Sequence, residues 1–211
     1  MLKSLTTLSL VLTLCASRLL AQSSLADSVQ FFALATERGH SATYVTDSVP
    51  QQINVSSGDT VIHWMTMEEA LAMQKQRPRK VFVEVYATWC GWCKKTDGVL
   101  ANAEIARYIN ANYYPVKFNC ETKSTVTFKG REYKFINEGN YHVNELALFL
   151  LNYKQSYPGI VILNEDANVV GMRSGYMDEI MMENVANYYG SDAYREMPFN
   201  EFEETFVGKV K

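Results

Sequence analysis

Seven residues, Lys80-Val-Phe-Val-Glu-Val-Tyr86, constrain this chain more than any others. They form a near-continuous run of β-branched and aromatic strand formers, the pattern of a strand buried on both faces. Such a strand needs helices on either side of its sheet, which places the chain among α/β domains. The run leads directly into Trp89-Cys90-Gly91-Trp92-Cys93-Lys94-Lys95, so two of only four cysteines stand three positions apart just beyond the buried strand.

The flanking sequence supplies the rest of an α/β order. Thr66 and Glu69 make a capping box that opens a helix to about 76, and Pro78 follows its end. Residues 90–101 suit a helix, Asn102 caps another to about 112, and 113–119 reads as the next strand, so a parallel crossover is expected. Residues 125–135 alternate about a Lys129-Gly130 turn, which puts Val126, Phe128 and Tyr133 on one face of a hairpin. Asn144 caps an apolar helix over 145–153. Pro158 begins a strand over 159–163, with an antiparallel return from 169 to 172. A last long helix from about 178 ends at Gly190 as its C′ residue, and 200–206 forms a short terminal helix. There is no internal repeat and no low-complexity linker.

The first residues read differently. Lys3, an apolar run from Leu5 to Ala16 and the small Ala21 fit a secretory signal peptide cut near Ala21 and Gln22. The run is shorter than the roughly 20 residues of a membrane-spanning helix, which weighs against an uncleaved anchor. Leu14 before Cys15 weighs against a lipoprotein signal. The expected organisation is a signal peptide over 1–21 and an irregular arm over 22–60 with one short helix around 29–35. A domain over 61–190 and a tail over 191–211 follow. The mature chain is expected outside the cytoplasm, in the periplasm, without stable membrane insertion, and it keeps Cys90, Cys93 and Cys120 while losing Cys15. A net charge of −3 in 211 residues gives no basic footprint for nucleic acid.

Three readings of the cysteine pair compete: a staple, a metal clamp and a reactive dithiol. Closing so small a loop stabilises by only roughly 2 kcal/mol, against ~3 kcal/mol for fifteen residues, which makes the pair a poor staple. A structural zinc site needs four ligands, whereas here one pair stands with a lone Cys120 and with His40, His63 and His142 scattered. Covalent haem attachment needs histidine after the second cysteine, where Lys94 stands. The redox reading uses more of the neighbourhood. Cys90 opens a helix, so free backbone N–H groups and the positive end of the dipole favour its thiolate. Cys90 is then the exposed attacking thiol. Cys93, one turn on and less exposed, resolves the mixed disulfide.

Glu84 interrupts the buried run, where an unpaired carboxylate is costly and tends to keep its proton. A carboxyl with raised proton affinity suits exchange of a proton with Cys93. The plainer alternative is a strand-edge glutamate that reaches water.

These residues together resemble the thioredoxin superfamily over about 62–190. "VEVYATWCGWCKK" is similar to its strand–Trp–Cys-x-x-Cys–helix segment, with Glu84 where the family usually has a buried Asp. "PVKFNCE" is similar to the next strand, with Lys117 at the lysine that neighbours that acid, and "SYPGIVIL" to the strand preceded by a cis-proline. The resemblance implies a thioredoxin-like fold with a central mixed sheet flanked by helices. It also implies a peptide-binding surface made by Trp89, Gly91, Trp92, Tyr157 and Pro158, with no dissociable cofactor and no metal. Two departures stand out. Trp92 replaces the proline of thioredoxin itself, and residues 122–156 are longer than the usual counterpart, as in secreted bacterial thioredoxin-like proteins. That stretch is read as a hairpin-plus-helix insertion before the cis-proline strand.

The implied activity is thiol–disulfide exchange with protein disulfides or dithiols, in the reductase direction and fed by an upstream electron-transfer partner. An oxidant or isomerase, a non-catalytic binding or scaffold protein and a peroxidase remain as alternatives. Cys120 reads as a buried small hydrophobe and Trp64 as packing.

Overall fold

The computed structural model describes residues 60–139 and 141–211. The expected signal peptide, the arm up to residue 59 and its helix around 29–35 lie outside the described residues.

Helix α1 (Met67–Gln76) opens with the expected capping box. The Glu69 N–H donates to Thr66 Oγ1 at 3.2 Å, and the Thr66 N–H donates to Glu69 Oε2 at 2.8 Å. Strand β1 (Lys80–Tyr86) follows, then α2 (Gly91–Leu100) and α3 (Ala103–Asn112), capped by Cys90 and Asn102. Strand β2 (Tyr113–Asn119) returns parallel to β1, in register from Lys80 opposite Tyr113 to Tyr86 opposite Asn119. Later in the chain come β7 (Gly159–Leu163) and β8 (Val169–Ser174). The central sheet has the order β2-β1-β7-β8, with both later pairings antiparallel. It is the mixed sheet that the sequence predicts.

Strand β1 is buried throughout except at Tyr86. Its side chains alternate between two cores, as the strand period requires. Val81, Val83 and Val85 belong to a core with Met67, Val116, Phe128 and Leu146. Phe82 belongs to the other, with Ile105, Ile109, Tyr113 and Val185. Each such side chain contributes roughly 1.5–3 kcal/mol when removed from water, so the strand is anchored from both sides.

Between β2 and β7 lie four short strands: β3 (Val126–Phe128), β4 (Arg131–Tyr133), β5 (Phe135–Glu138) and β6 (Tyr141–Asn144). The β3–β4 hairpin has the expected turn, with Lys129 and Gly130 at φ 51° and 77°, and it buries Val126, Phe128 and Tyr133. The β5–β6 hairpin is not foreseen by the sequence reading. The extended run breaks at Lys134, whose N–H and carbonyl are both engaged by Glu145, the first residue of α4 (Glu145–Leu150).

Helix α4 stops short of the expected 153. Asn152 and Tyr153 take positive φ of 49° and 61°, and the Tyr153 N–H turns back to the Leu148 carbonyl at 2.7 Å. Asparagine tolerates this conformation, so the helix ends without a glycine. Helix α5 (Glu179–Gly190) corrects a second expectation. Gly190 is its last helical residue, not C′; Ser191 is the cap, and Asp192 beyond it takes the left-handed conformation at φ 67°. Gly190 is required for space instead: a Cβ there would lie 2.6 Å from Tyr108 Oη. After a single 3-10 turn, α6 (Phe199–Thr205) packs Phe202 beneath Tyr188. The chain then returns to α5, where buried Glu183 accepts the N–H groups of Lys209 at 2.7 Å and Val210 at 3.0 Å.

Candidate active site

The cysteine pair stands where β1 gives way to α2. Cys90 and Cys93 are joined as a disulfide with Cα atoms 5.3 Å apart. Cys90 is the N-cap of α2, and its sulfur accepts the Cys93 N–H at 3.1 Å. That contact puts the first sulfur at the N–H-rich end of the helix, where negative charge is stabilised. Cys90 is 5% exposed and Cys93 3%, so the expected contrast between an exposed and a shielded thiol is absent in the disulfide form. In this form the two sulfurs are bonded to each other.

The turn before the pair is held from the segment just after β2. Glu121 Oε2 accepts both the Thr88 N–H at 2.7 Å and the Thr88 hydroxyl at 2.6 Å, and these bonds hold its carboxyl below the usual range. The sequence reading gave Glu121 no role; its only sequence signal is its place just after Cys120.

Trp89 and Trp92 are 70% and 55% exposed, among the largest apolar surfaces on the domain. Trp89 meets Tyr157 edge-on at 6.0 Å, which brings the segment before Cys90 against the segment before Pro158. The Tyr157–Pro158 bond is cis, as the resemblance implies, and Pro158 is buried. Trp92 packs on Tyr176 at 5.4 Å, and Lys95 Nζ lies 4.1 Å from the Trp92 ring centre. Tyr176 is a wall of this surface that sequence reasoning missed, because it comes from the loop between β8 and α5. Gly91 has open space around its Cα, so backbone is accessible beside the pair.

Cys120 is buried with a free thiol, as read from sequence, and burial pushes its proton affinity up. Tyr157 is its side-chain partner and is shifted upward in turn, first by its own burial.

Glu84 is fully buried, which removes the strand-edge alternative. It lies opposite Lys117 in the β1–β2 register, and Lys117 Nζ is 3.5 Å from Glu84 Oε2. Among the described residues neither carboxyl oxygen has a hydrogen-bond partner. At that distance Lys117 acts as a neighbouring charge more than as a donor. Burial outweighs this cation and raises the Glu84 carboxyl to about 7. Lys117 itself pairs more closely with Asp97 of α2 and also lies over the rings of Trp64 and Tyr86. Trp64 is therefore packing, as expected, and also a partner of this cation. Asp97 stands four residues after Cys93, one helical turn along the same face of α2. The sequence reading did not single it out.

Among the described residues no group of three or more His, Cys, Asp or Glu is placed to hold a metal, and no helix is long and apolar enough to cross a membrane.

A mixed four-stranded sheet, a Cys-x-x-Cys disulfide at a helix start and a cis-proline strand define a thioredoxin-fold protein. The family model of the thioredoxin-like domain matches residues 67–190, more than half of the chain, and the chain belongs to that family. A search of curated proteins finds no match. Similar solved structures include a thioredoxin-fold protein from Helicobacter pylori, 16% identical, covering 72% of this chain and 88% of its own, with a TM-score of 0.45. A thioredoxin from Thermus thermophilus is 20% identical, with 64% and 94% covered and a TM-score of 0.44. A disulphide isomerase from Xylella fastidiosa Temecula1 is 21% identical, with 65% and 82% covered and a TM-score of 0.37. The family assignment rests on the family model, not on these likenesses.

Proposed function

We propose that the protein is an extracytoplasmic thiol–disulfide oxidoreductase that reduces protein disulfides through Cys90 and Cys93. The observation that carries this reading is the capped pair itself: a disulfide at the first turn of α2, with the Cys90 sulfur on a helix N–H. In the dithiol form the Cys90 thiolate attacks a substrate disulfide. An S–S bond forms between Cys90 and one substrate sulfur, and the other substrate sulfur leaves as a thiolate that takes a proton from water. Cys93 then gives its proton to the Glu84 carboxylate and attacks Cys90. The second substrate sulfur leaves as a thiolate that takes up the proton held by Glu84, and the Cys90–Cys93 bond remains. Two electrons have passed from enzyme to substrate, so each turnover requires an upstream dithiol donor.

A binding or scaffold module has no need of a buried carboxyl near 7 or of two linked thiols, which favours exchange. Trp89, Gly91, Trp92, Tyr157 and Pro158 form the surface for an extended peptide, with Lys117 supporting Glu84. The extracytoplasmic placement is supported by the basic, apolar and small residues of the first 21 positions.

The test is a trap. Cys93→Ala should accumulate disulfide-linked partners through Cys90, released by a reducing agent and absent when Cys90 is also replaced. Absence of such species under every redox condition would leave the binding-module reading in its place.

A further inference from the structure

Lys117 has two acidic neighbours, and the geometry gives them unequal shares. Its ammonium pairs tightly with Asp97 Oδ1 and stands 3.5 Å from Glu84 Oε2. Asp97 is half-exposed on α2, whereas Glu84 is fully buried on β1. Trp64, Lys117 and Asp97 also line a cleft of about 190 Å³ on this side of the sheet, walled by Ile62 and Leu100. The cation is thus held toward the cleft by a carboxylate that the exchange chemistry itself does not use.

We propose that Asp97 is a positioning residue of the exchange reaction: by holding Lys117 at the cleft it keeps the cation from neutralising Glu84. This rests on the reading of Glu84 as the proton partner of Cys93. Were Lys117 free to turn fully onto Glu84, it would hold that carboxyl ionised and make it a poor proton acceptor near neutrality. The negative charge of Asp97 adds directly to the same effect. The groups around Glu84 are few. From β2 comes Lys117, and from α2 comes Asp97. From its own strand comes the Tyr86 ring, on which Lys117 also lies. Its register partner on β7 is the apolar Ile160. No second cation competes with Lys117 among the described residues paired with these carboxylates.

The experiment uses the full chain in its oxidised form, where Cys90 and Cys93 do not titrate, with carbon-13 in the glutamate side chains so that Glu84 is followed directly. Asp97→Asn should move the Glu84 titration to lower pH by about one unit, about tenfold in its ionised-to-protonated ratio. Asp97→Glu should keep it in place. In a Lys117→Met background the Asp97→Asn shift should fall to a fraction, because the intermediary is gone. The reduced proteins are then reacted with oxidised glutathione, and the acidic limb of the rate profile should move with the Glu84 titration. An unmoved titration in Asp97→Asn overturns the proposal. A moved titration with an unmoved rate profile shows instead that Glu84 takes no part in exchange, which removes Asp97 from the reaction while leaving its hold on Lys117.

Discussion

Glu84 and Lys117 occupy the same register position on adjacent parallel strands, and their charged ends meet at 3.5 Å beneath the active-site helix. A buried acid beside a partly exposed cation is a proton store whose affinity is set by the balance of burial against charge. Here burial wins, and the carboxyl lies near 7.

That balance has a consequence for stability. In the unfolded chain a glutamate titrates near 4.3, so between there and about 7 the folded state holds a proton that the unfolded state has lost. Stability is therefore whole below the unfolded value, falls as pH rises through this window and levels off above it. The full span is on the order of 3 kcal/mol. Glu84→Gln should abolish this slope and make the variant more stable than the parent at pH 8, as read from denaturant midpoints across pH. Equal pH dependence in the two proteins would count against a protonated Glu84.

The same substitution should slow exchange without changing the fold. Loss of a general acid–base group costs typically about 10²–10⁴-fold when proton transfer limits the step. Stopped-flow fluorescence during reaction with oxidised glutathione measures the rate, and far-UV circular dichroism should remain unchanged. Unaltered kinetics would remove Glu84 from the mechanism.

Trp92 offers a different separation. It is 55% exposed and supported by Tyr176 and Lys95, so its face is available to a substrate chain. Trp92→Ala should raise KM for a disulfide-containing polypeptide several-fold, with a smaller effect on a low-molecular-weight disulfide. Equal effects on both would assign Trp92 to the thiols rather than to substrate recognition.

At the other end of the chain, Glu183 satisfies two backbone N–H groups of the terminal segment while itself buried. Glu183→Ala should cost about 1–3 kcal/mol and strip hydrogen-exchange protection from Lys209 and Val210. Exchange unaltered at those amides would show that the tail is held by other contacts.

Much of this was legible in the residues. The run from Lys80 to Tyr86 gave a strand buried on both sides, and Thr66, Asn102 and Asn144 gave helix starts, because capping and periodicity are local. Gly190 misled for the opposite reason: its place is dictated by Tyr108 and Tyr113 from elsewhere in the chain. The β5–β6 hairpin escaped notice because its register depends on Lys134 being tied to Glu145. Asp97 was invisible as a site residue since a lone acid on an exposed helix face reads as solvated until β2 brings Lys117 beneath it.

The proposed chemistry turns on the Cys90–Cys93 bond being a working redox couple. Titration of the protein against glutathione buffers, followed by the fluorescence of Trp89 and Trp92, tests it most directly. A reversible two-electron transition is expected, near thioredoxin's roughly −270 mV for a reductase. A potential between about −180 and −120 mV would turn the direction toward isomerase or oxidant. No reversible transition at all would contradict a redox role and leave the pair a structural bridge.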